Sequence, residues 1–310
     1  MEEKGSLGIF LLSDKAAAVW VSSDAEGSVV HQLCIRPSEN EPVTSALQAA
    51  RAVMRQGYAF EEVFVAIDCS FYTQYDLHSE FSDYRQIEST IKFDAEEAAT
   101  TDAMNLAAAF EVTDVQSSGS QVTVYTADRQ LLTDILLDLQ EGGLDPTLME
   151  PDVVCLARVL EQTVKLSECS ESLFVALAGN NCYMLRPHPG NAPIVRTFLV
   201  EQGKDVTSSL IREVLLATAA NHGNKPLQSV VLIGNTEGVD TDLLNQGTGL
   251  KIMTQTPETT LHRTPESDRG APAELLTSYD VMDGDMTAAE LLIAYGAAIA
   301  ARDRGHRVDF

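Results

Sequence analysis

Positive charge is what this chain has least of. Lys and Arg together number 21 against 46 Asp and Glu, for a net charge of −25 at neutral pH. Such a surface repels phosphate backbones and anionic headgroups, so nucleic-acid binding is not expected. Long apolar runs are missing too. The longest stretch free of charged residues, Ser172 to Leu185, has 14 residues and includes Gly179, Asn180 and Asn181, whereas a membrane-spanning helix needs roughly 20 apolar residues. Met-Glu-Glu-Lys at the start leads into Leu7 to Leu12 without a basic leader or a small-residue cleavage site, which makes the cytoplasm the expected compartment. The five cysteines, Cys34, Cys69, Cys155, Cys169 and Cys182, are odd in number and form no CxxC, so they read as reduced core residues. The six histidines are scattered and no HExxH occurs, so no metal is expected. Walker A, GxGxxG and GxSxG motifs are absent as well. Asp94, Glu96 and Glu97 cluster, but a carboxylate run beside an amphipathic segment reads as a solvated face.

What remains is an ordinary globular composition, 45% hydrophobic and 22% charged over 310 residues, a length that favours two domains at roughly 150 residues each. Leu7 to Ser13, Ala16 to Ser22 and Ser28 to Ile35 read as a three-strand meander with turns at Ser13-Asp14-Lys15 and Asp24-Ala25-Glu26-Gly27. A helix follows from about Asn40 and Pro42 to Gly57, then a buried strand over Val63 to Ile67. The same order recurs as strands Leu173 to Ala178, Cys182 to Arg186 and Ile194 to Val200, a helix from Asp205 to Asn221 and a strand over Gln228 to Ile233. First and closing strands of the two units are both offset by 166 residues, which predicts a duplicated βββαβ unit.

Between the units, Tyr84 to Ala99 and Asp102 to Phe110 alternate apolar and acidic residues, and Gln121 to Thr126 alternates as a strand, so about 70–126 reads as an insertion. Asp128 suits the cap of a helix carrying Leu131, Leu132, Ile135, Leu136 and Leu139, stopped by Gly142-Gly143. Pro151 opens another helix, expected to bridge the halves. Gln255 to Pro272, rich in Thr, Pro and Glu, reads as a mobile loop. Thr287 and Glu290 form a capping box ahead of a small-residue helix through Leu291, Leu292, Tyr295 and Ile299.

The duplicated unit, Tyr84 to Asp94 (Tyr-Arg-Gln-Ile-Glu-Ser-Thr-Ile-Lys-Phe-Asp), Gly143-Leu144-Asp145-Pro146 and the Ala-Tyr-Gly-Ala-Ala-Ile-Ala helix together resemble the actin-like ATPase-fold family of the type IV pilus assembly protein PilM and the cytoplasmic domain of the type II secretion protein GspL. The resemblance implies an α/β, actin-like (ribonuclease H-like) fold in two halves, 1–165 and 166–310. Nucleotide-binding members carry Asp-x-Gly in the first hairpin of each half, where turn amides cradle phosphate and carboxylates hold magnesium. Against Leu-Gly-x-Asp-x-Gly-Ser this chain keeps Leu7, Gly8 and Ser13, but Phe10 stands at the acidic position and Leu12 at the second glycine. In the second half, Ala176 and Ala178 replace Asp and Gly ahead of Gly179. Gly234 keeps one glycine of the adenosine pair, and Asn235 replaces the other. Arg196 and Gly203 fit the family's arginine and helix-initiating glycine. Asp14, with Ser13 and Lys15, could stand in one position later, although Ser-Asp-Lys reads first as an exposed turn, as does Gly179-Asn180-Asn181.

An apolar ring beside a desolvated polyanion supplies no compensating charge, so neither cofactor nor hydrolysis is expected. The resemblance therefore implies a non-catalytic scaffold on the cytoplasmic face of the inner membrane, similar to GspL, the cytoplasmic domain of a type II secretion platform protein that recruits the assembly ATPase. Its implied partners are a secretion or pilus assembly ATPase and other inner-membrane platform proteins, with homodimerisation left open. The competing readings are a soluble PilM-like adaptor, an active nucleotide-binding ATPase of the same fold, and an unrelated α/β enzyme. A basic partner domain suits the acidic surface. Arg302, Arg304, His306 and Arg307 gather shortly before Phe310, which suggests a membrane helix beyond that residue.

Overall fold

Lys4–Leu11 (β1), Ala16–Ser23 (β2) and Val29–Ile35 (β3) form an antiparallel meander. The computed structural model describes residues 4–23, 29–35, 41–55, 57–188, 190–200, 205–220, 225–234, 236–255, 288–300 and 308–310. The chain crosses through Pro42–Arg55 (α1) to Ala59–Ile67 (β4), which lies parallel to β1 with Leu7 opposite Val63. The apolar run of β4 suits a strand covered on both faces, as parallel strands require. Pro146–Pro151 (β8) adds to the far side of β4, giving the order β3-β2-β1-β4-β8. In the other half Ser172–Ala178 (β9), Asn181–Arg186 (β10) and Ile194–Leu199 (β11) repeat the meander. Val206–Ala219 (α5) then leads to Ser229–Gly234 (β12), parallel to β9. Thr241–Thr248 (α6) and Lys251–Gln255 (β13) complete a second sheet of order β11-β10-β9-β12-β13.

The two sheets thus share one topology, and the duplication holds as topology rather than as a constant offset. The paired strands start at Lys4 and Ala59 in one sheet and at Ser172 and Ser229 in the other, so the two spacings differ. The α5 helix ends at Ala219, short of Asn221, and is capped by Asp205, whose side chain accepts from the Ser208 amide. Gly203, Asn235, the Asp24–Gly27 turn, Asn40, Thr287, residues 256–272 and the Arg302–Arg307 cluster lie outside the described residues, as does the Cys34 side chain.

The third sheet, β5-β7-β6, is antiparallel and built from Tyr72–Ser79 (β5), Leu106–Gln116 (β6) and Gly119–Asp128 (β7). Tyr84–Ala99 (α2) covers one face with Ile87, Ile91 and Ala95, which recur every four residues and so lie on one side of a helix. Asp128 caps Arg129–Glu141 (α3), accepting from the amides of Gln130 and Leu131. Pro151 precedes Asp152–Val164 (α4).

The late helix Ala288–Ala298 (α7) packs on β1, β2, β4 and α4 of the first half and also touches β9 and β12. Two glycines permit this close approach. A Cβ at Gly8 would overlap the Ala294 carbonyl and the Ala298 amide, and one at Gly296 would overlap the Cys155 carbonyl. Glu150 and Arg158 form a bidentate pair at 2.7 Å for each bond, and Arg158 also donates to the Gly296 carbonyl at 2.8 Å. One hydrophobic core runs from Leu7, Phe10 and Trp20 through α4 and α7 to Ala176, Tyr183 and Ile233. Among the described residues no helix is long and apolar enough to cross a membrane.

Candidate functional site

The two hairpin turns singled out by the sequence come together across the N-terminal end of α7. In the first, the Leu12 amide donates to the Lys15 carbonyl, which turns the chain tightly and sends the Lys15 side chain to Glu290, with Nζ 2.7 Å from Oε1. In the second, Gly179 has φ +59°, the left-handed conformation that a two-residue hairpin favours. A Cβ placed on Gly179 would lie 3.5 Å from the same Glu290 oxygen. A fully buried carboxylate therefore stands between the turns, paired with a lysine of the chain itself.

Phe10 and Leu12 point into the core, Phe10 at 0% exposure with Ala17 and Ala66 as its strand partners. Ala176 and Ala178 are likewise fully buried in β9. Ser13 and Asp14 are exposed, and only the Ser13 amide reaches inward, donating to Asp68 Oδ2 at 3.3 Å. Gly234, with φ +91°, abuts the Leu177 carbonyl so closely that no side chain fits. Arg196 is paired with Glu213 of α5 at 2.8 Å.

Beneath the turns lies a buried polar hub. Asp68 follows β4 and Asp152 opens α4, so the ends of two neighbouring elements of the first half present carboxylates to the second sheet. Asp152 Oδ1 accepts from the Tyr72 hydroxyl at 2.6 Å and the Val153 amide at 2.7 Å. Its Oδ2 accepts from the Tyr183 hydroxyl at 2.6 Å and the Cys69 amide at 2.8 Å. Asp68 Oδ1 accepts from the Ser70 amide at 2.8 Å and from Asn181 Nδ2 at 3.0 Å, and Asn181 also donates to the Tyr183 hydroxyl. Tyr183 and Asn181 come from β10 and Tyr72 from β5, so the hub joins all three sheets. Burial, with the Asp68 charge adding to it, pushes Asp152 up to about 7. Burial likewise holds the Cys69 thiol and the Tyr72 and Tyr183 hydroxyls protonated, each well above its ordinary value.

Ligand atoms of Asp68, Cys69 and Asp152 lie within 4.8 Å of one another, the spacing of a small cation site. The donor chemistry does not fit one. Both oxygens of Asp152 and both of Asp68 already accept from protein amides, hydroxyls or a side-chain amide, and the thiol is held in its protonated form. A divalent ion would have to displace those donors and ionise a buried sulfur.

Asp68, Tyr72, Asp152, Asn181 and Tyr183 carry no signal in local spacing, because apart from Asn181 and Tyr183 their pairings with one another span 31, 80 and 113 residues. The available sign was placement: Asp68 directly ends an apolar strand run, and Asp152 directly follows the proline that opens a buried helix.

No family model and no curated protein sequence matches the chain. Its backbone is similar to a chain of the PilM–PilN type IV pilus biogenesis complex, at TM-score 0.71 and 15% identity over 96% of this chain and 99% of that one. It is similar to the cytoplasmic domain of EpsL, an inner membrane component of the type II secretion system of Vibrio cholerae, at TM-score 0.52 and 12% identity over 97% and 96%. A Bacteroides thetaiotaomicron protein with an actin-like ATPase fold gives TM-score 0.50 and 12% identity over 82% and 91%. The chain has the actin-like ATPase fold that the resemblance implied.

Proposed function

We propose that this chain is a non-catalytic actin-like scaffold, the cytoplasmic part of an assembly platform that recruits a secretion or pilus assembly ATPase at the inner membrane. The carrying observation is the Lys15–Glu290 pair. Where nucleotide-binding relatives present two phosphate-cradling turns, this chain sets its own carboxylate between them and lines the strands below with Phe10, Leu12, Ala176 and Ala178. An incoming triphosphate would meet a buried anion and an apolar floor. In this reading the division falls near Lys165, between residues 1–165 and 166–310, with the β5-β7-β6 sheet as the insertion, and the seam is a structural joint rather than a catalytic cleft.

The acidic surface suits a basic partner domain, and such an association weakens as screening shortens from ~14 Å at about 0.05 M salt to ~4 Å at about 0.5 M. A soluble pilus-type adaptor is the second reading, favoured by the better superposition on the PilM–PilN chain than on EpsL.

Thermal unfolding with millimolar magnesium ATP tests the proposal. A site filled to about 100 times its dissociation constant adds roughly 2.7 kcal/mol, which moves the midpoint of a chain this size by about 4 °C. The midpoint is expected to stay unchanged. A reproducible magnesium-dependent rise would overturn the scaffold reading in favour of a nucleotide-binding enzyme.

A further inference from the structure

Between β5 and the α5-covered face of the second sheet lies a cavity of about 520 Å³, the size of a small-ligand site. Successive residues of a strand point to opposite faces. Leu77 packs on the α2 side of the third sheet, so Asp76 and, two residues before it, Gln74 turn away from α2 toward the second half. There Gln74 Nε2 donates to the Val195 carbonyl at 2.5 Å. Leu173 of β9, Met184 of β10 and Leu216 of α5 give the cavity its apolar wall.

The polar groups of the wall differ in what they have left to offer. Both cations are engaged within the chain. Arg196 pairs with Glu213 at 2.8 Å, and Arg186 donates to the Ala217, Ala220 and Lys225 carbonyls, closing the C-terminal end of α5. The acceptors have capacity to spare. Gln74 Oε1 is buried and, among the described residues, accepts no hydrogen bond. Asp76 is exposed and accepts from the Thr123 hydroxyl through Oδ1 at 2.9 Å, which leaves Oδ2 open. A buried amide oxygen without a donor is costly, and next to an open carboxylate oxygen it favours a donor that carries positive charge. An anion would face Asp76 while both arginines are held by other groups.

We propose that this cavity binds a small organic cation, an ammonium group on an apolar body, with its head held at Asp76 and Gln74 and its body against Leu173, Met184 and Leu216. The site makes no use of the Lys15–Glu290 pair and stands apart from the scaffold reading.

Methyl NMR of the full chain labelled at methionine tests this, because Met184 lines the cavity and reports on it locally. Hexylamine is expected to shift the Met184 methyl resonance saturably, and hexanoate, the same body with the opposite charge, to bind at least about tenfold more weakly. Asp76→Asn is expected to weaken hexylamine about tenfold. Asp94→Asn, an exposed position on α2, is expected to leave it unchanged. Absence of a saturable shift at Met184 would overturn the proposal, as would equal binding of the two probes; this comparison on the unmodified protein stands without any variant. Equal weakening by the two substitutions would also overturn it, since the amine would then be only a counterion of the acidic surface.

Discussion

Tyr183 donates its hydroxyl to Asp152 Oδ2 at 2.6 Å, and with that bond a strand of the second sheet reaches the first turn of a helix in the first half. The same hydroxyl accepts from Asn181, whose amide also reaches Asp68. The two halves are joined here through hydrogen bonds that each satisfy a buried group.

Replacing Tyr183 by Phe keeps the ring and removes that donor, leaving a buried carboxylate one partner short. The expected cost is about 1 to 3 kcal/mol. Urea unfolding of the variant against the unmodified protein reads it directly, and a difference below about 0.5 kcal/mol would mean that water replaces the hydroxyl at the seam.

The hub also sets a pH dependence. Asp152 titrates near 7 in the fold against an ordinary 3.8, chiefly through burial. A folded-state value above the unfolded one gives stability that is full below about pH 4 and is lost as pH rises through about 7. Asp152→Asn has nothing to titrate. Between about pH 4 and pH 7 the unmodified protein is therefore expected to lose stability relative to the variant, with the difference flat above about pH 8. Urea midpoints for both proteins at stepped pH check this, and parallel curves would remove Asp152 as the titrating group.

Arg158→Met strands the fully buried Glu150 carboxylate and frees the Gly296 carbonyl that Arg158 holds. Breaking one side of such a pair costs about 3 to 5 kcal/mol. The double variant Glu150→Leu/Arg158→Met removes both charges and is expected to recover part of that loss. A double-mutant cycle from chemical denaturation yields the coupling, and additive losses would show that the two residues act separately.

Gly8→Ala places a methyl against the backbone of α7 at Ala294 and Ala298, where no flexible side chain can yield. The helix must lift from β1, at an expected cost of about 1 to 3 kcal/mol or more. A lowered thermal midpoint together with faster exchange of α7 amides is the expected pattern, and an unchanged midpoint would argue against close helix–strand contact.

Local chemistry made much of the fold legible. Asp128 announced α3 because its side chain can satisfy the first free amides of a helix, and the run Val63 to Ile67 announced a covered strand. The β5 strand gave no sign, since Tyr-Thr-Gln-Tyr-Asp-Leu-His-Ser is polar and largely half-exposed. The α2 segment read as an alternation because acidic residues fall among its apolar ones; the buried residues recur every four, which is helical. Prolines hid β8 from a strand reading. For the candidate site, the substitutions at Phe10, Leu12, Ala176 and Ala178 were visible as residue types, but Glu290 read only as half of a capping box. Its pairing with Lys15 spans nearly the whole chain, and no local pattern encodes such a contact.

The placement of α7 has a consequence for how the molecule is made. Helix Ala288–Ala298 covers β1, so the face of the first sheet beneath it must wait until all the intervening residues have been synthesised before its cover exists. At about 5 to 20 residues per second that wait is on the order of tens of seconds. During it Phe10, Val19 and Phe64, which share the face of Gly8, present an adhesive surface to the crowded nascent-chain environment, and closing so long a loop slows the final step. Translation arrested before residue 288 should yield a chain that engages chaperones, whereas arrest after the helix has emerged from the exit tunnel should yield one that does not.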